Sequence, residues 1–127
     1  MAVHFTIDAQ NRLVRATATG DATECATEFG AFLEELTAHP DFRPGFDILY
    51  DRRSVSRTPD DDLVRAATGA IEDRADRLAG CRWAVVIGHQ PALAVVRLTA
   101  LLGERAGVEA RPFVDPDDAM AWFGRAA

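Results

Sequence analysis

Residues 82–88 read RWAVVIG, and this stretch decides the fold. After Arg82, residues 83–87 form a short, continuous apolar run that is rich in β-branched residues and is followed by Gly88. Helix-like segments lie on both sides of this run. Such a run is typical of a strand that is covered on both faces, in a sheet that carries helices. We therefore expect residues 83–87 to form an interior strand at the centre of the sheet of an α/β domain.

Two alternating segments begin the chain. Residues 3–8 and 13–19 place apolar and polar side chains on opposite sides, and residues 9–11 between them have the composition of a turn. This pattern indicates two half-buried strands joined as a hairpin. A helix over residues 21–39 follows, because apolar side chains recur there at helical spacing and Pro40 disfavours helical geometry in the residue before it.

The middle of the chain continues with a strand and a second helix. Residues 46–51 (FDILYD) predict the third strand, and residues 52–57 (RRSVSR) predict a polar segment that leaves it. The sequence TPDD at residues 58–61 is a strong helix start, with Thr58 as the cap. The helical period then continues to about residue 79.

The segment after the apolar run completes the order of elements. GHQP at residues 88–91 begins a helix that runs to about residue 105, residues 109–114 predict a fifth strand, and DPDD at residues 115–118 starts a last helix. Pro112 cannot donate a hydrogen bond to a neighbouring strand, which favours an edge position for the fifth strand. The order is therefore β-β-α-β-α-β-α-β-α, a single α/β domain with a mixed sheet of about five strands. Because helices alternate with the last three strands, those strands should run parallel through right-handed crossovers.

The composition limits the classes of function. The length of 127 residues suits one domain. The formal net charge of −6 argues against nucleic-acid binding. No run approaches the ~20 apolar residues of a membrane span, and the N-terminus lacks the pattern of a signal peptide, so we expect no membrane span and a cytoplasmic location. Cys25 and Cys81 are too few and too far apart for a metal site, and His4, His39 and His89 form no ligand pattern. We expect neither a metal nor a cofactor.

Three stretches carry a family resemblance: ILYDRRSV at residues 48–55, RLTALLGE at residues 97–104 and RPFVDPDDAMAWF at residues 111–123. Together with the element order, they resemble the STAS domain, the fold of the sporulation anti-sigma factor antagonists and of the cytoplasmic tails of sulfate transporters. Within that superfamily the chain is most similar to the SpoIIAA-like branch. The resemblance implies a four- or five-stranded sheet with helices mainly on one face, and a non-enzymatic role.

The resemblance also bears on phosphorylation. In the antagonists, a Ser at the start of the helix after the third strand is phosphorylated by a kinase partner, within an Asp-Ser-Ser-Gly-like motif. The corresponding residues 51–62 read DRRSVSRTPDDD, with Ser54 and Ser56 nearby and Thr58 at the cap, but without the Ser-Gly pair. A phosphate on Thr58 would be repelled by the three aspartates that follow. We therefore expect Thr58 to cap the helix rather than to carry a phosphate.

The loops after the third and fourth strands should lie at the carboxyl edge of the sheet, where open α/β sheets usually bind ligands. The residues predicted to bind a ligand or partner at this edge are Asp51, Arg52, Arg53, Ser54, Ser56, Thr58, Gly88, His89 and Gln90. The arginines suit an anion or the carboxylate of a partner, and the alternative is that they are solvated or pair with the aspartates at 60–62. His89 is either an acid–base group or a polar residue of the loop.

Two further hypotheses concern apolar residues and the class of function. Trp83, Phe113, Trp122 and Phe123 either cover the sheet or line an apolar groove for a hydrophobic ligand or a homodimer contact.

Three classes of function follow from the sequence. The first is a regulatory or protein-interaction module that acts through the loops after strands three and four. The second is a carrier or sensor of a small apolar or lipid-like ligand, which an interior cavity lined by Phe29, Phe32, Leu98 or Trp122 would favour over the module. An enzyme ranks third, because the sequence offers no nucleophile–base pair or phosphate-cradling loop.

Overall fold

The computed structural model describes residues 3–20, 22–55, 61–88 and 107–125. Within these residues the chain forms five strands and four helices in an α/β arrangement. The strands are β1 (Val3–Asp8), β2 (Leu13–Gly20), β3 (Asp47–Val55), β4 (Arg82–Val86) and β5 (Glu109–Phe113). The helices are α1 (Ala22–Ala38), α2 (Asp61–Glu72), α3 (Ala75–Leu78) and α4 (Pro116–Trp122).

The five strands form one mixed sheet in the order β1-β2-β3-β4-β5. β1 and β2 pair antiparallel, and β2, β3, β4 and β5 run parallel to one another. The predicted hairpin, the parallel arrangement of the last three strands and the edge position of β5 are confirmed. β4 is an interior strand, as predicted, but β3 holds the centre of the sheet because the hairpin adds two strands on its other side.

The first face of the sheet is covered by α1, with α2 and α3 beside it. Apolar side chains of these helices and of the sheet form the first core, which contains Val14, Ala16, Ala18, Phe29, Phe32, Leu33, Leu36, Phe42, Phe46, Ile48, Tyr50, Ile71, Leu78, Cys81, Trp83, Val85, Ile87 and Val108. Leu33 and Leu36 of α1 are both 0 % exposed, as the predicted helical stripe requires. Burying such a side chain contributes about 1.5–3 kcal/mol, so this layer supplies much of the stability.

The second face carries α4. Its core is smaller and contains Leu13, Leu49, Ala84, Val86, Ala119, Met120 and Phe123. Neighbouring residues of β3 and β4 therefore point to different cores, which is why the apolar run of β4 is continuous rather than alternating. Of the described helices, three lie on the first face and one on the second.

Two boundaries differ from the sequence-based expectation. The third strand was expected to end at residue 51 because the following residues are polar, but β3 continues to Val55, since β2 pairs with it as far as Gly20 opposite Val55. The expected helix over residues 58–79 is divided into α2 and α3. It is divided because the N–H of Arg74 bonds to the carbonyl of Ile71, three residues back, which tightens and ends α2. The helix expected over residues 88–105 lies outside the described residues.

Candidate functional site at the carboxyl edge of the sheet

The exits of β3, β4 and β5 meet at the carboxyl edge because the three strands are parallel. The N–H of Ile87, directly after β4, donates a hydrogen bond of 2.9 Å to the carbonyl of Phe113 at the end of β5. This bond keeps the chain leaving β4 beside the chain leaving β5. We define the edge patch as the described residues at these exits: Asp51, Arg52, Arg53, Ser54, Gly88 and Asp115.

A β-bulge lies within the edge patch. Thr17 of β2 pairs with Asp51, but Thr19 pairs with Ser54, so β3 advances three residues where β2 advances two. A bulge turns successive side chains away from simple alternation, and bulges are frequent beside functional sites. Here Arg52 is buried, at 6 % exposure, whereas its neighbour Arg53 is exposed.

The Arg53 guanidinium is fixed by Asp51. Its Nε lies 3.0 and 3.2 Å from the two carboxylate oxygens, its Nη2 lies 2.7 Å from Oδ2, and the Arg53 backbone N–H donates a further bond of 3.0 Å to Oδ1. The pair stays accessible, with 47 % of the Arg53 side chain and 22 % of the Asp51 side chain exposed. Two-point contact of this kind sets the orientation of the guanidinium plane.

The contacts between Asp51 and Arg53 shift the pKa values of both groups. Burial on its own raises the pKa of Asp51, but hydrogen bonds from the side chain and the backbone of Arg53 outweigh burial, so the pKa of Asp51 is lowered. The pKa of Arg53 is raised, mainly by its hydrogen bond to Asp51 and by the charge of Asp51. Both groups are therefore charged throughout the neutral range.

Gly88 and Asp115 complete the edge patch around Arg53. Gly88 has a φ of +62°, and a Cβ on it would lie 3.3 Å from Cγ of Arg53, so the aliphatic part of Arg53 packs close to the Gly88 backbone. The negative charge of Asp115 makes a smaller contribution to the raised pKa of Arg53. Asp115 also caps α4, since its Oδ1 accepts the Asp118 N–H at 3.1 Å.

Asp115 was not among the predicted site residues. Its position follows from the same argument that selected the other loops, because a parallel fifth strand must end at the same edge as the third and fourth. On its sequence, the DPDD stretch after that strand predicts a helix cap alone, and in the structure Asp115 both caps α4 and acts on Arg53 through its charge.

The predicted binding residues are only partly within the described chain. Asp51, Arg52, Arg53 and Ser54 belong to strand β3 itself rather than to a loop after it. Gly88 lies two residues after the end of β4, at the same edge of the sheet, and a Cβ on it would lie 3.3 Å from Cγ of Arg53. The predicted residues Ser56, Thr58, His89 and Gln90 lie outside the described residues.

The four aromatic residues of the predicted apolar groove are separated by the sheet. Trp83 is 1 % exposed and packs in the first core against Phe29, with ring centroids 6.0 Å apart. Phe113, Trp122 and Phe123 lie on the second face, where the Trp122 ring is 5.6 Å from Phe113 and 5.3 Å from Phe123. The four residues therefore do not line one groove.

The edge patch presents the Arg53 guanidinium, the carboxylates of Asp51 and Asp115 and the Ser54 hydroxyl, which suit recognition by charge-assisted hydrogen bonds. Arg52, which was predicted to bind at this edge, is buried and does not present its guanidinium to a partner. Within residues 3–20, 22–55, 61–88 and 107–125, no three His, Cys, Asp or Glu side chains are grouped so that they could hold a metal ion.

No protein-family model matches the sequence, and no curated protein is significantly similar to it. Among the helices of the described residues, none is both long enough and apolar enough to cross a membrane.

Proposed function

We propose that the chain is a non-enzymatic, cytoplasmic STAS-like module of the SpoIIAA-like branch, which regulates a protein partner by binding it through the edge patch. The observation that carries the proposal is the β-bulge at Arg52 and Arg53. It interrupts regular pairing between two interior strands, and it places an oriented Arg53–Asp51 pair on the surface beside the exit of β4.

The orientation of Arg53 supports a role in recognition. A flexible arginine loses side-chain entropy when a partner binds it, whereas a guanidinium that is already fixed by Asp51 loses less. The same pair presents both signs of charge, so a partner needs a carboxylate and a donor at matching positions. A charge pattern of this kind favours a protein surface as the ligand.

The packing of the first core supports the module over the carrier. Phe29 and Phe32 lie with ring centroids 5.7 Å from that of Tyr50, and Phe32 lies 6.4 Å from Trp83. These aromatic side chains pack on one another in the described part of the first core, which leaves less room there for an apolar ligand. Of the other two residues expected to line a carrier cavity, Trp122 packs against the second core, on the opposite face of the sheet, and Leu98 lies outside the described residues.

The proposal is tested by capture with matched variants. The wild-type chain, Arg53→Glu and Arg77→Glu are immobilised and exposed to extract of the organism that encodes the protein, and the retained proteins are identified by mass spectrometry. Arg77 is an exposed arginine of α3 outside the edge patch, so its variant carries the same change of charge. We expect a protein that the wild type and Arg77→Glu retain and that Arg53→Glu loses.

The retained protein is then purified and its affinity is measured directly. Loss of the Arg53 contact should weaken binding at least about tenfold, which corresponds to about 1.4 kcal/mol. Equal binding by all three chains, or retention of no protein by the wild type, would contradict the proposal.

A further inference from the structure

A cleft lies at the amino edge of the sheet, opposite the edge patch. It has a volume of about 400 Å³ and opens between the β1–β2 turn and the connection from α1 to β3. Its lining residues are Ala9, Arg12, Pro40, Asp41, Arg43 and Phe46. A cleft of this size is in the range of small-molecule sites.

Arg12 is held against one wall of the cleft. Its guanidinium carbon lies 5.8 Å from the centroid of the Phe46 ring, in a cation–π contact. A Cβ on Gly45 would lie 3.1 Å from Nη2 of Arg12, and Gly45 has a φ of +88°. The absence of a side chain at Gly45 therefore lets the Arg12 guanidinium rest against the backbone.

Arg43 is held on the other side of the cleft. Its Nη1 donates hydrogen bonds to the carbonyls of Pro40 and Phe42, the second at 3.0 Å. These bonds occupy one of its three nitrogens, so its remaining donors are available to a bound group. The loop that carries Arg43 is itself braced, because the backbone N–H of Asp41 donates to Nδ1 of His39 at 3.1 Å.

Neither guanidinium group of the cleft is paired with a carboxylate of the described residues. Within the described part of the chain, neither Arg12 nor Arg43 lies within ion-pair distance of an Asp or Glu, although Asp41 lines the same cleft. The chain has 20 acidic and 14 basic residues, so acidic side chains are in excess and an arginine without an acidic partner is not the expected case. Two fixed, uncompensated guanidinium groups at one concave surface form a site for an anion.

The backbone at Arg12 is a second observation about this residue, independent of the contacts of its side chain. Arg12 has a φ of +56°, a conformation that Gly or Asn adopts more readily than Arg. The conformation turns the Arg12 carbonyl to accept the Asp47 N–H at 3.0 Å. Gly would provide the same turn with less strain, and a non-glycine residue in such a conformation is common at functional sites.

We propose that the Arg12–Arg43 cleft binds a small organic anion whose charged group is a phosphate or a carboxylate. The guanidinium groups take the oxyanion, and Ala9, Pro40 and Phe46 provide an apolar wall for the body of the ligand. This site is independent of the proposed function of the edge patch, because it lies at the other end of the strands.

The test uses phenyl phosphate and benzoate as probes and follows the backbone amide resonances of the full chain by NMR. We expect at least one probe to bind with a dissociation constant below about 10 mM and to shift amides of residues 9–12 and 40–46. Tighter binding of phenyl phosphate assigns the site to phosphates, and tighter binding of benzoate assigns it to carboxylates.

Three variants make the result decisive. Arg12→Gly removes the guanidinium and relieves the positive φ, so its melting temperature should be unchanged or higher while the affinity falls at least about tenfold. Arg43→Ala should lose a similar factor. Arg15→Ala, on an exposed residue of β2 outside the cleft, should change the affinity less than about threefold. Failure of both probes to bind the wild type, or equal affinity in Arg12→Gly, would overturn the proposal.

Discussion

Two carboxylates of the described residues act on the Arg53 guanidinium with unequal effect. Asp51 accepts hydrogen bonds from Nε and Nη2, and the charge of Asp115 makes a smaller contribution to the raised pKa of Arg53. Asp51 is subject to opposing influences, because burial favours its neutral form while Arg53 favours its charged form. The pKa of Asp51 is therefore set by the balance between its burial and its contacts with Arg53.

Arg53→Ala is expected to raise the pKa of Asp51. The substitution removes the side-chain hydrogen bond and the positive charge, while burial continues to raise the pKa. The carboxyl carbon of Asp51 should titrate at higher pH in ¹³C NMR spectra of Arg53→Ala than in those of the wild type. In the wild type the lowered pKa stabilises the fold above the unfolded-state pKa of about 4, and this stabilisation is lost as the pH falls through the lower folded-state pKa.

Arg77→Ala serves as the control for this titration, since Arg77 lies outside the edge patch. An Asp51 titration curve that is the same in Arg53→Ala as in the wild type would show that the pair in solution is weaker than its geometry indicates.

Among single elements, strand β4 was predictable from the sequence and the end of strand β3 was not, and the difference has a physical cause. β4 was predictable because its side chains are buried on both faces, which leaves a continuous apolar run. The end of β3 was not predictable, because Arg53 and Ser54 are exposed and their strand conformation depends on pairing with β2 rather than on their own composition. The bulge at Arg52 has the same origin, since only the register against β2 defines it.

The start of α4 provides a prediction about Asp115, which caps the helix through the Asp118 N–H. Asp115→Ala should lower the free energy of unfolding by about 1 kcal/mol, because it leaves that N–H without its cap. Asp115→Ser keeps a capping oxygen but removes the charge, so it should cost no more than about 0.5 kcal/mol. Urea unfolding measures both values, and equal losses would indicate that the charge near Arg53, rather than the cap, stabilises this end of the helix.

At the scale of the whole molecule, one buried carboxylate joins four parts of the chain at the amino edge. Asp47, at the start of β3, is 4 % exposed. Its carboxylate accepts hydrogen bonds from Nε and Nη2 of Arg82, at 2.8 and 2.9 Å, and from Nε of Arg125, at 3.0 Å. Arg82 also donates to the carbonyl of Phe123 at 3.0 Å, and Arg125 donates to the carbonyl of Asn11 at 2.6 Å. The hairpin turn, β3, β4 and the end of α4 therefore share one network, which sequence reasoning missed because its members are up to 114 residues apart.

Asp47→Asn should destabilise the fold by roughly 2–4 kcal/mol. Removing one partner of a buried ion pair leaves the remaining charges without compensation, and the partial exposure of Arg82 and Arg125 reduces the cost. Urea unfolding measures the change, and Asp76→Asn, on an exposed residue of α3, should stay within about 0.5 kcal/mol of the wild type. A loss at Asp47 as small as that at Asp76 would mean that the network contributes nothing to stability.

The placement of the chain's two tryptophans on opposite faces of the sheet makes each face optically distinct. Trp83 is 1 % exposed in the first core, whereas Trp122 is partly exposed and lies 5.7 Å from the Arg111 guanidinium. Replacing either one with phenylalanine leaves a single fluorophore, with blue-shifted emission for the enclosed indole and red-shifted emission for the solvated one. A chemical denaturation recorded on each single-tryptophan chain would therefore show whether the layer under α1 and the layer under α4 melt as one cooperative unit.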